Sequence, residues 1–355
     1  MKKIVFCVPS LEFGGAERVT VRLAKQFALN YKVYIITTKK AAEEYKLTKD
    51  IERINLTNPH FIGRAIEFRK IIKKIHPEFL ITMFAPMYVL VHLSLMGTNM
   101  PTIVSERNDP KKFAGKSIVK ILYQYFLKKA DGVVFQTKEA RDYYIKRKHI
   151  LNTIIYNPIC AEEIPAKFSG VKKKTIVNIG RLHYQKNHKL LIDAFCDIHD
   201  QIKEFNLIIY GEGPLYEELN NYILNRNASN YITLYGKSDD VLNEIKDKYM
   251  FVLSSDFEGM PNALIEAMCL GLPVISTDCP CGGPAELIED RKNGLLVRVG
   301  DKKQLSKAIL ELALNPQFAS ELGKSAYETR RILDINKIAK QWLQFCEFVK
   351  ENKKK

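Results

Sequence analysis

The chain has 355 residues, 46% of them hydrophobic, 10% aromatic and 27% charged, with 18 Gly and 14 Pro, values that exclude a disordered or collagen-like chain and leave room for two compact units, each able to bury its own core. Residues 1–160 hold 28 Lys+Arg against 13 Asp+Glu, whereas residues 161–355 hold 27 against 27, so the whole formal charge of +15 sits in the first half and points to a polyanion-facing surface there. No apolar run reaches the roughly 18–20 residues that cross a bilayer, and MKKIVFCVPSLEFGG has too short an apolar run for a secretory signal, so the expected location is cytoplasmic.

In chain order, KIVFCVP reads as a buried strand, SLEFGG as a turn, and AERVTVRLAKQFALN as a helix with Val19, Leu23 and Phe27 on one face. YKVYIIT, EFLITMF, PTIVS, GVVFQT and TIIYN follow as strands separated by amphipathic segments. A polar, Lys-rich stretch over about residues 158–174 reads as a linker, after which TIVNIG, LIIYG, ITLYG, FVLSS, PVIST and GLLV repeat the rhythm. Beyond residue 300 the pattern is helical, ending in KIAKQWLQFCEFVKENKKK, which is free to cross back to the first domain. The pattern is that of a parallel α/β fold, twice over. Three spans follow: a basic α/β unit at 1–160, a second α/β unit at 161–335, and a terminal helix at 336–355.

The seven cysteines, Cys7, Cys160, Cys196, Cys269, Cys279, Cys281 and Cys346, are odd in number and dispersed, which agrees with a reducing compartment. Cys279 and Cys281 form a C-x-C pair, but no further Cys or His lies nearby to complete a zinc site. No bound metal is expected.

The strongest constellation is SSDFEGMPNALIEAMCLGLPVISTDCPCGGPAELI. A strand ends near Ser254; a loop with Glu258, Gly259, Met260 and Pro261 follows, then a helix from about Asn262 carrying Glu266. Glycine admits close backbone approach, and a helix N-terminus offers unpaired N–H groups that favour anions. The loop places Glu258 at the carboxyl end of a strand, where open α/β sheets bind ligands. Singly, Glu258 and Glu266 are also ordinary helix-start acids. G-x-G at Gly211–Gly213 is followed by Pro214 and lacks the third glycine of a dinucleotide fingerprint.

The E-x7-E pair of EGMPNALIEAMCLGLPVIST, followed by GGPAELI and NGLLV, resembles the retaining family 4 glycosyltransferases of bacterial surface-polysaccharide type. GGAERV after the first strand and GRLHYQKN at the start of the second half are similar to further segments of that family, and the order is the same. The resemblance implies a GT-B fold: α/β, two Rossmann-like doubly wound parallel-sheet domains facing a central cleft. It implies that Arg181 and Lys186 stabilise the donor diphosphate without a metal, and that Glu258 contacts the transferred sugar. Arg181, Lys186 and Glu258 are thus the expected catalytic residues. Glu266 is implied to bind the ribose hydroxyls. Gly259, Met260, Pro261 and Asn262 match a loop at the sugar and distal phosphate. Gly14 and Gly15 match a first-domain loop near the phosphates, and Gly211, Glu212 and Gly213 match a loop bordering the base. The implied donor is a nucleotide sugar, UDP-linked first, acting as substrate with no separate cofactor. The implied acceptor is a lipid-linked or surface glycan of capsule, O-antigen or lipopolysaccharide synthesis.

Where many relatives carry a first-domain histidine near the sugar, this chain has SERNDP, so Glu106, Arg107, Asn108 and Asp109 are the candidates on the acceptor side. His60, His76, His92, His183 and His188 read as surface or helix-end residues. RAIEFRKIIKKI (64–75) puts Phe68, Ile71, Ile72 and Ile75 on one helical face and Arg69, Lys70, Lys73 and Lys74 on the rest. With KKFAGKSIVK (111–120) and KEARDYYIKRKH (138–149) it supports peripheral attachment of the first domain to an anionic membrane. Nucleic acid is the competing polyanion, but no module for it is visible. Two rivals remain: an epimerase resembling UDP-N-acetylglucosamine 2-epimerase, and a catalytically silent nucleotide-sugar or membrane-binding protein.

Overall fold

A computed structural model describes residues 1–107, 109–112, 117–145 and 150–353. The chain divides into Met1–Pro158 with Leu333–Lys355, and Ile159–Ile332. The first unit carries β1 (Lys3–Cys7), β2 (Lys32–Thr37), β3 (Ile51–Asn55), β4 (Phe79–Thr82), β5 (Thr102–Glu106), β6 (Gly132–Phe135) and β7 (Leu151–Ile154). They form one parallel sheet in the order β3-β2-β1-β4-β5-β6-β7. Its first helices are α1 (Gly15–Ala28), α2 (Phe61–Ile75), α3 (Ala85–Leu95), α4 (Ser117–Leu127) and α5 (Lys138–Tyr144).

The second unit carries β8 (Lys173–Ile179), β9 (Asn206–Tyr210), β10 (Ile232–Gly236), β11 (Lys248–Leu253), β12 (Val274–Thr277) and β13 (Leu295–Val297), parallel in the order β10-β9-β8-β11-β12-β13. Its helices are α6 (His188–Cys196), α7 (Tyr216–Asn225), α8 (Val241–Ile245), α9 (Asn262–Cys269), α10 (Gly283–Leu287), α11 (Lys302–Leu314), α12 (Pro316–Tyr327) and α13 (Thr329–Ile332); α14 (Ile335–Lys353) completes the chain.

Each sheet is covered on both faces, so its inner strands read as continuous apolar runs. In the first unit Val5, Cys7 and Leu80 pack with Phe68, Ile72, Met87 and Val91 from α2 and α3. Phe27 of α1 meets Phe6 on the other side, with ring centroids 5.7 Å apart. In the second unit Ile176, Leu207 and Val252 pack with Leu191 and Phe195 of α6 and with Leu305 and Ile309 of α11.

One strand escapes the apolar signal. β3, IERIN, lies at the sheet edge with only Ile51 buried, and its charged residues give it no apolar run. The terminal helix α14 belongs to the first unit, where it packs on α1 and buries Trp342 to 1% exposure. Gln26 Nε2 donates to Asn336 Oδ1 at 2.8 Å, and Lys353 Nζ reaches Asp131 Oδ2 at 2.7 Å.

Candidate active site

In the second sheet the strand order reverses between β8 and β11, so the loops leaving their carboxyl ends lie side by side. The first loop carries Gly180, Arg181 and a single 3-10 turn, Tyr184–Lys186; the second carries Ser254 to Pro261. Two hydrogen bonds lock them together: Asp256 N–H donates to Gln185 O at 2.8 Å, and the Ser254 hydroxyl donates to Lys186 O at 2.9 Å. Asn187, in the left-handed region, caps α6 by accepting from Leu190 N–H, while its Nδ2 donates to Asp256 Oδ1 at 2.7 Å.

The fold thereby brings two of the expected residues into contact. Lys186 Nζ lies 2.6 Å from Glu258 Oε1, with side-chain exposures of 18% and 8%. Ser255 Oγ donates to the same carboxylate oxygen at 2.7 Å, and Gln185 Nε2 donates to Glu258 Oε2 at 3.3 Å and to Phe257 O at 2.8 Å. A carboxylate held by an ammonium, a hydroxyl and an amide is fixed in its orientation. Nearby, burial and the charge of Glu258 push the Cys279 thiol up to about 12, so it is an inert neutral neighbour.

Arg181 is exposed and makes no hydrogen bond or ion pair with the described residues. It leaves the site's cationic side open to an incoming anion. Gly211 N–H donates to Gly236 O at 2.7 Å, and Leu182 N–H to Glu212 O at 2.9 Å, which sets the Gly211–Gly213 loop on the Arg181 loop. A Cβ at Gly211, whose φ is +141°, would come 2.0 Å from Gly180 O, so only glycine permits that approach. Gly283 has the same role against the Glu258 loop, where a Cβ would meet Gly259 O at 1.6 Å. Glu258 N–H donates to Pro280 O at 2.7 Å, and Cys281 N–H returns a bond to Glu258 O at 2.9 Å.

Gly259, Met260 and Pro261 follow directly; Pro261 is the N-cap of α9, one residue earlier than the helical position its ring also suits, and Asn262 opens the helix. Glu266 is buried in the next turn. His188, read as a surface or helix-end residue, does open α6 but is only 2% exposed, and neither ring nitrogen has a hydrogen-bond partner among the described residues. Burial, reinforced by the Lys186 charge, pulls its pKa down to about 4.

In the first unit, Gly14 is the N-cap of α1, and Gly15 its first residue. A Cβ at Gly14 would fall 2.3 Å from Glu17 Oε2, so that carboxylate folds back over the helix start. Burial raises the pKa of Glu17. The preceding loop is clamped by a neighbouring segment: Tyr45 N–H donates to Leu11 O at 2.9 Å, and Phe13 and Tyr45 stack edge to face at 4.9 Å. Arg53 of the edge strand β3 pairs with Glu44, whose Oε1 also accepts from Ala41 N–H at 2.9 Å. That pairing, outweighing the opposing effect of burial, lowers the Glu44 carboxyl to about 2.

The SERNDP candidates separate. Glu106 is 3% exposed and turned inward, accepting from the buried Tyr123 hydroxyl and from Arg107 N–H at 3.0 Å, so it does not face an acceptor. Asp109, 4% exposed, accepts from Lys111 N–H at 2.8 Å and caps a local 3-10 turn. Arg107 donates to Asn157 Oδ1 and to Ser105 Oγ, and burial pulls its pKa down to about 10. Asn108 lies outside the described residues.

Glu17, Glu44, Arg53, Gln185 and Ser255 are contributors that motif reading did not single out. Gln185 and Ser255 sit inside the recognised segments, so their adjacency to Lys186 and Glu258 was the available signal. Arg53 and Glu44 carry none, because their role exists only once β3 pairs with β2. Among the described residues no group of three or more His, Cys, Asp or Glu side chains is placed to hold a metal ion. Nor is any helix among them long and apolar enough to cross a membrane.

Comparison with known proteins adds two family matches. Residues 13–163 match the model described as Glycosyltransferase Family 4, and residues 161–329 the one described as Glycosyl transferases group 1. A Campylobacter jejuni alpha-1,4-N-acetyl-D-galactosaminyltransferase, named for a PP-undecaprenol-linked acceptor, is 26% identical over 99% of this chain and 99% of its own. An uncharacterized glycosyltransferase of Methanocaldococcus jannaschii is 27% identical over 81% of this chain and 83% of its own. Among solved structures, sucrose-phosphate synthase from Thermosynechococcus elongatus superposes with a TM-score of 0.85 at 18% identity, covering 98% of this chain and 99% of that one. Anabaena HepE in complex with UDP gives 0.84 at 18% identity, covering 97% and 99%. At these identities the structural likeness is one of fold.

Proposed function

Because the chain belongs to the family 4 glycosyltransferases, we propose that it moves a hexose or N-acetylhexosamine from a nucleotide sugar, UDP-linked first, to a lipid-linked or surface glycan, with retention and without a metal ion. The observation that carries this reading is the Lys186–Glu258 contact at the β8/β11 switch point. It joins a cation suited to a diphosphate with a carboxylate suited to sugar hydroxyls. As the glycosidic bond breaks, charge grows on the departing phosphate, and the fixed Lys186 ammonium and open Arg181 guanidinium offset it. In front-face substitution the acceptor oxygen bonds to the anomeric carbon as the carbon–phosphate-oxygen bond opens. The acceptor proton passes to the departing phosphate.

UDP in the Anabaena complex supports a uridine donor, and the undecaprenol-linked acceptor in the Campylobacter protein's name supports a lipid-linked glycan. An acceptor of that kind puts the enzyme at the cytoplasmic face of a membrane, and the basic first half suits an anionic one. Capsule, O-antigen and lipopolysaccharide synthesis are the settings that use such acceptors.

Thermal-shift screening against UDP, GDP and ADP sugars tests the donor, because a ligand that binds the folded state raises the melting temperature. A rise with one UDP-sugar is expected; no rise with any of them refutes the donor reading. NMR of the product anomer tests retention, and transfer unchanged by a chelator tests metal independence.

A further inference from the structure

In the first unit an acid stands where the glycine motif leaves room for a ligand. Gly14 is the N-cap of α1 and supplies no side-chain cap. The first N–H groups of a helix have no intrahelical partners, and a glycine beside them leaves their approach open. Here the opening is filled from within. Glu17, in the first turn of α1, folds back over the space a Gly14 side chain would occupy, and its carboxylate accepts from its own backbone N–H.

A cation without a carboxylate stands at the same edge of the sheet. Arg107 directly follows β5, and the Gly14 loop follows β1; only β4 lies between these parallel strands, so both leave at their carboxyl ends. The half-buried Arg107 guanidinium donates to Ser105 Oγ at 3.2 Å, to Asn157 Oδ1 and to Met83 Sδ at 3.9 Å, all of them neutral. The adjacent acid, Glu106, is committed to the Tyr123 hydroxyl and to the Arg107 backbone N–H. Among the described residues no carboxylate forms an ion pair with Arg107. Arg107 and Glu17 nevertheless act on one another, each favouring the other's charged form, and Glu17 does so more strongly than Glu106.

Resting on the reading that the Gly14–Gly15 loop meets the phosphates of a nucleotide-sugar donor, we infer that Glu17 is an exchangeable internal anion. In the empty enzyme its carboxylate occupies the start of α1. An arriving phosphate takes that place, and Glu17 turns to Arg107, which then has the carboxylate it lacks. The exchange keeps one anion at the helix start throughout, where a phosphate and a carboxylate together would repel each other. When the nucleotide leaves, Glu17 returns. Glu17 is therefore a positioning residue that sets how tightly the diphosphate is held. The charged and titratable groups facing it among the described residues are Arg107 at the end of β5, Glu12 in the loop ahead of α1, and the Tyr45 hydroxyl, 3.5 Å from Gly14 O.

The test measures binding of UDP and of inorganic pyrophosphate to the full chain by calorimetry. Glu17→Gln removes the competing charge and keeps the shape, so it should bind both ligands about three- to tenfold more tightly than the wild type. The ratio of wild-type to variant Kd should fall toward one as the pH drops through the Glu17 pKa, which burial raises, because a protonated Glu17 no longer competes. Titration of the ligand cancels in that ratio. Arg107→Met should weaken UDP binding about fivefold in the wild-type background and less than about twofold beside Glu17→Gln, because only a displaced carboxylate needs the guanidinium. The Glu17 measurements leave Arg107 untouched and decide the matter without it. The exchange is overturned by Glu17→Gln binding no tighter than the wild type, by a ratio that does not change with pH, or by equal effects of Arg107→Met in the two backgrounds. UDP held equally by wild type and Glu17→Gln rejects the exchange and leaves the donor reading standing; pyrophosphate held more tightly by Glu17→Gln, with no UDP bound, does the reverse. Binding of neither ligand rejects both.

Discussion

Removing the Lys186 side chain leaves Glu258, 8% exposed, with only Ser255 and Gln185 to hold its charge. Stripping one partner from a buried ion pair costs about 3–5 kcal/mol. Because Lys186 is itself 18% exposed and two neutral donors remain, we expect a smaller loss, about 2–3 kcal/mol. For a unit the size of residues 159–332 that lowers the melting temperature by about 5–10 °C. Lys186→Ala therefore folds but with a measurable loss, and is not a silent catalytic knock-out. Calorimetry of the full chain, following the transition that UDP raises, gives the values for Lys186→Ala, Glu258→Gln and the double variant. The double should fall short of the sum by about 1.5–2 kcal/mol. The same pair makes a binding prediction: free UDP must draw Lys186 away from Glu258, so Glu258→Gln should bind UDP at least as tightly as the wild type while losing sugar transfer. Transfer by Lys186→Ala should drop by about two to three orders of magnitude. Additive stabilities, or weakened UDP binding by Glu258→Gln, would refute the assignment.

Other perturbations test the scaffold. His188, buried with a pKa of about 4, stays neutral while the unfolded chain takes up a proton near pH 6.5, so stability present above that pH is lost as it falls to about 4. The loss is about 3 kcal/mol, and His188→Phe should flatten that limb in acid-unfolding curves. In the first unit Glu44, held at about 2 by Arg53, contributes stability above pH 4.5 that disappears as pH falls toward 2; Arg53→Met should abolish most of that dependence and loosen hydrogen-exchange protection at Leu11. Trp342→Ala should destabilise the first unit by about 3–5 kcal/mol while leaving the UDP-sugar thermal shift in place.

The strands with continuous apolar runs were legible because a sheet covered on both faces demands them, and the switch-point residues were legible because their spacing survives without coordinates. β3 was not. IERIN has two charges in five residues, and its place is fixed by pairing with β2 and by the Arg53–Glu44 contact, which joins residues from separate segments. Glu106 misled for the opposite reason: it ends a strand facing the expected ligand side, but the buried Tyr123 hydroxyl comes from α4 and turns it inward. His188 stood in a motif beside Lys186 and was read by its polarity, whereas a helix start pressed into the core buries whatever residue stands there.

The same distinction explains the basic helix α2. Periodicity identifies its apolar face but cannot say what that face meets, and here the regular stripe of Phe68, Ile72 and Ile75 is spent on the sheet. What stays exposed is the irregular remainder, Phe61, Ile62 and Ile66, which interrupts a face that patterning assigns to solvent. Function on this chain is therefore written in departures from the pattern that builds the fold. An exposed apolar side chain on a cationic helix is one such departure, and an ammonium committed to a carboxylate where a phosphate is expected is another.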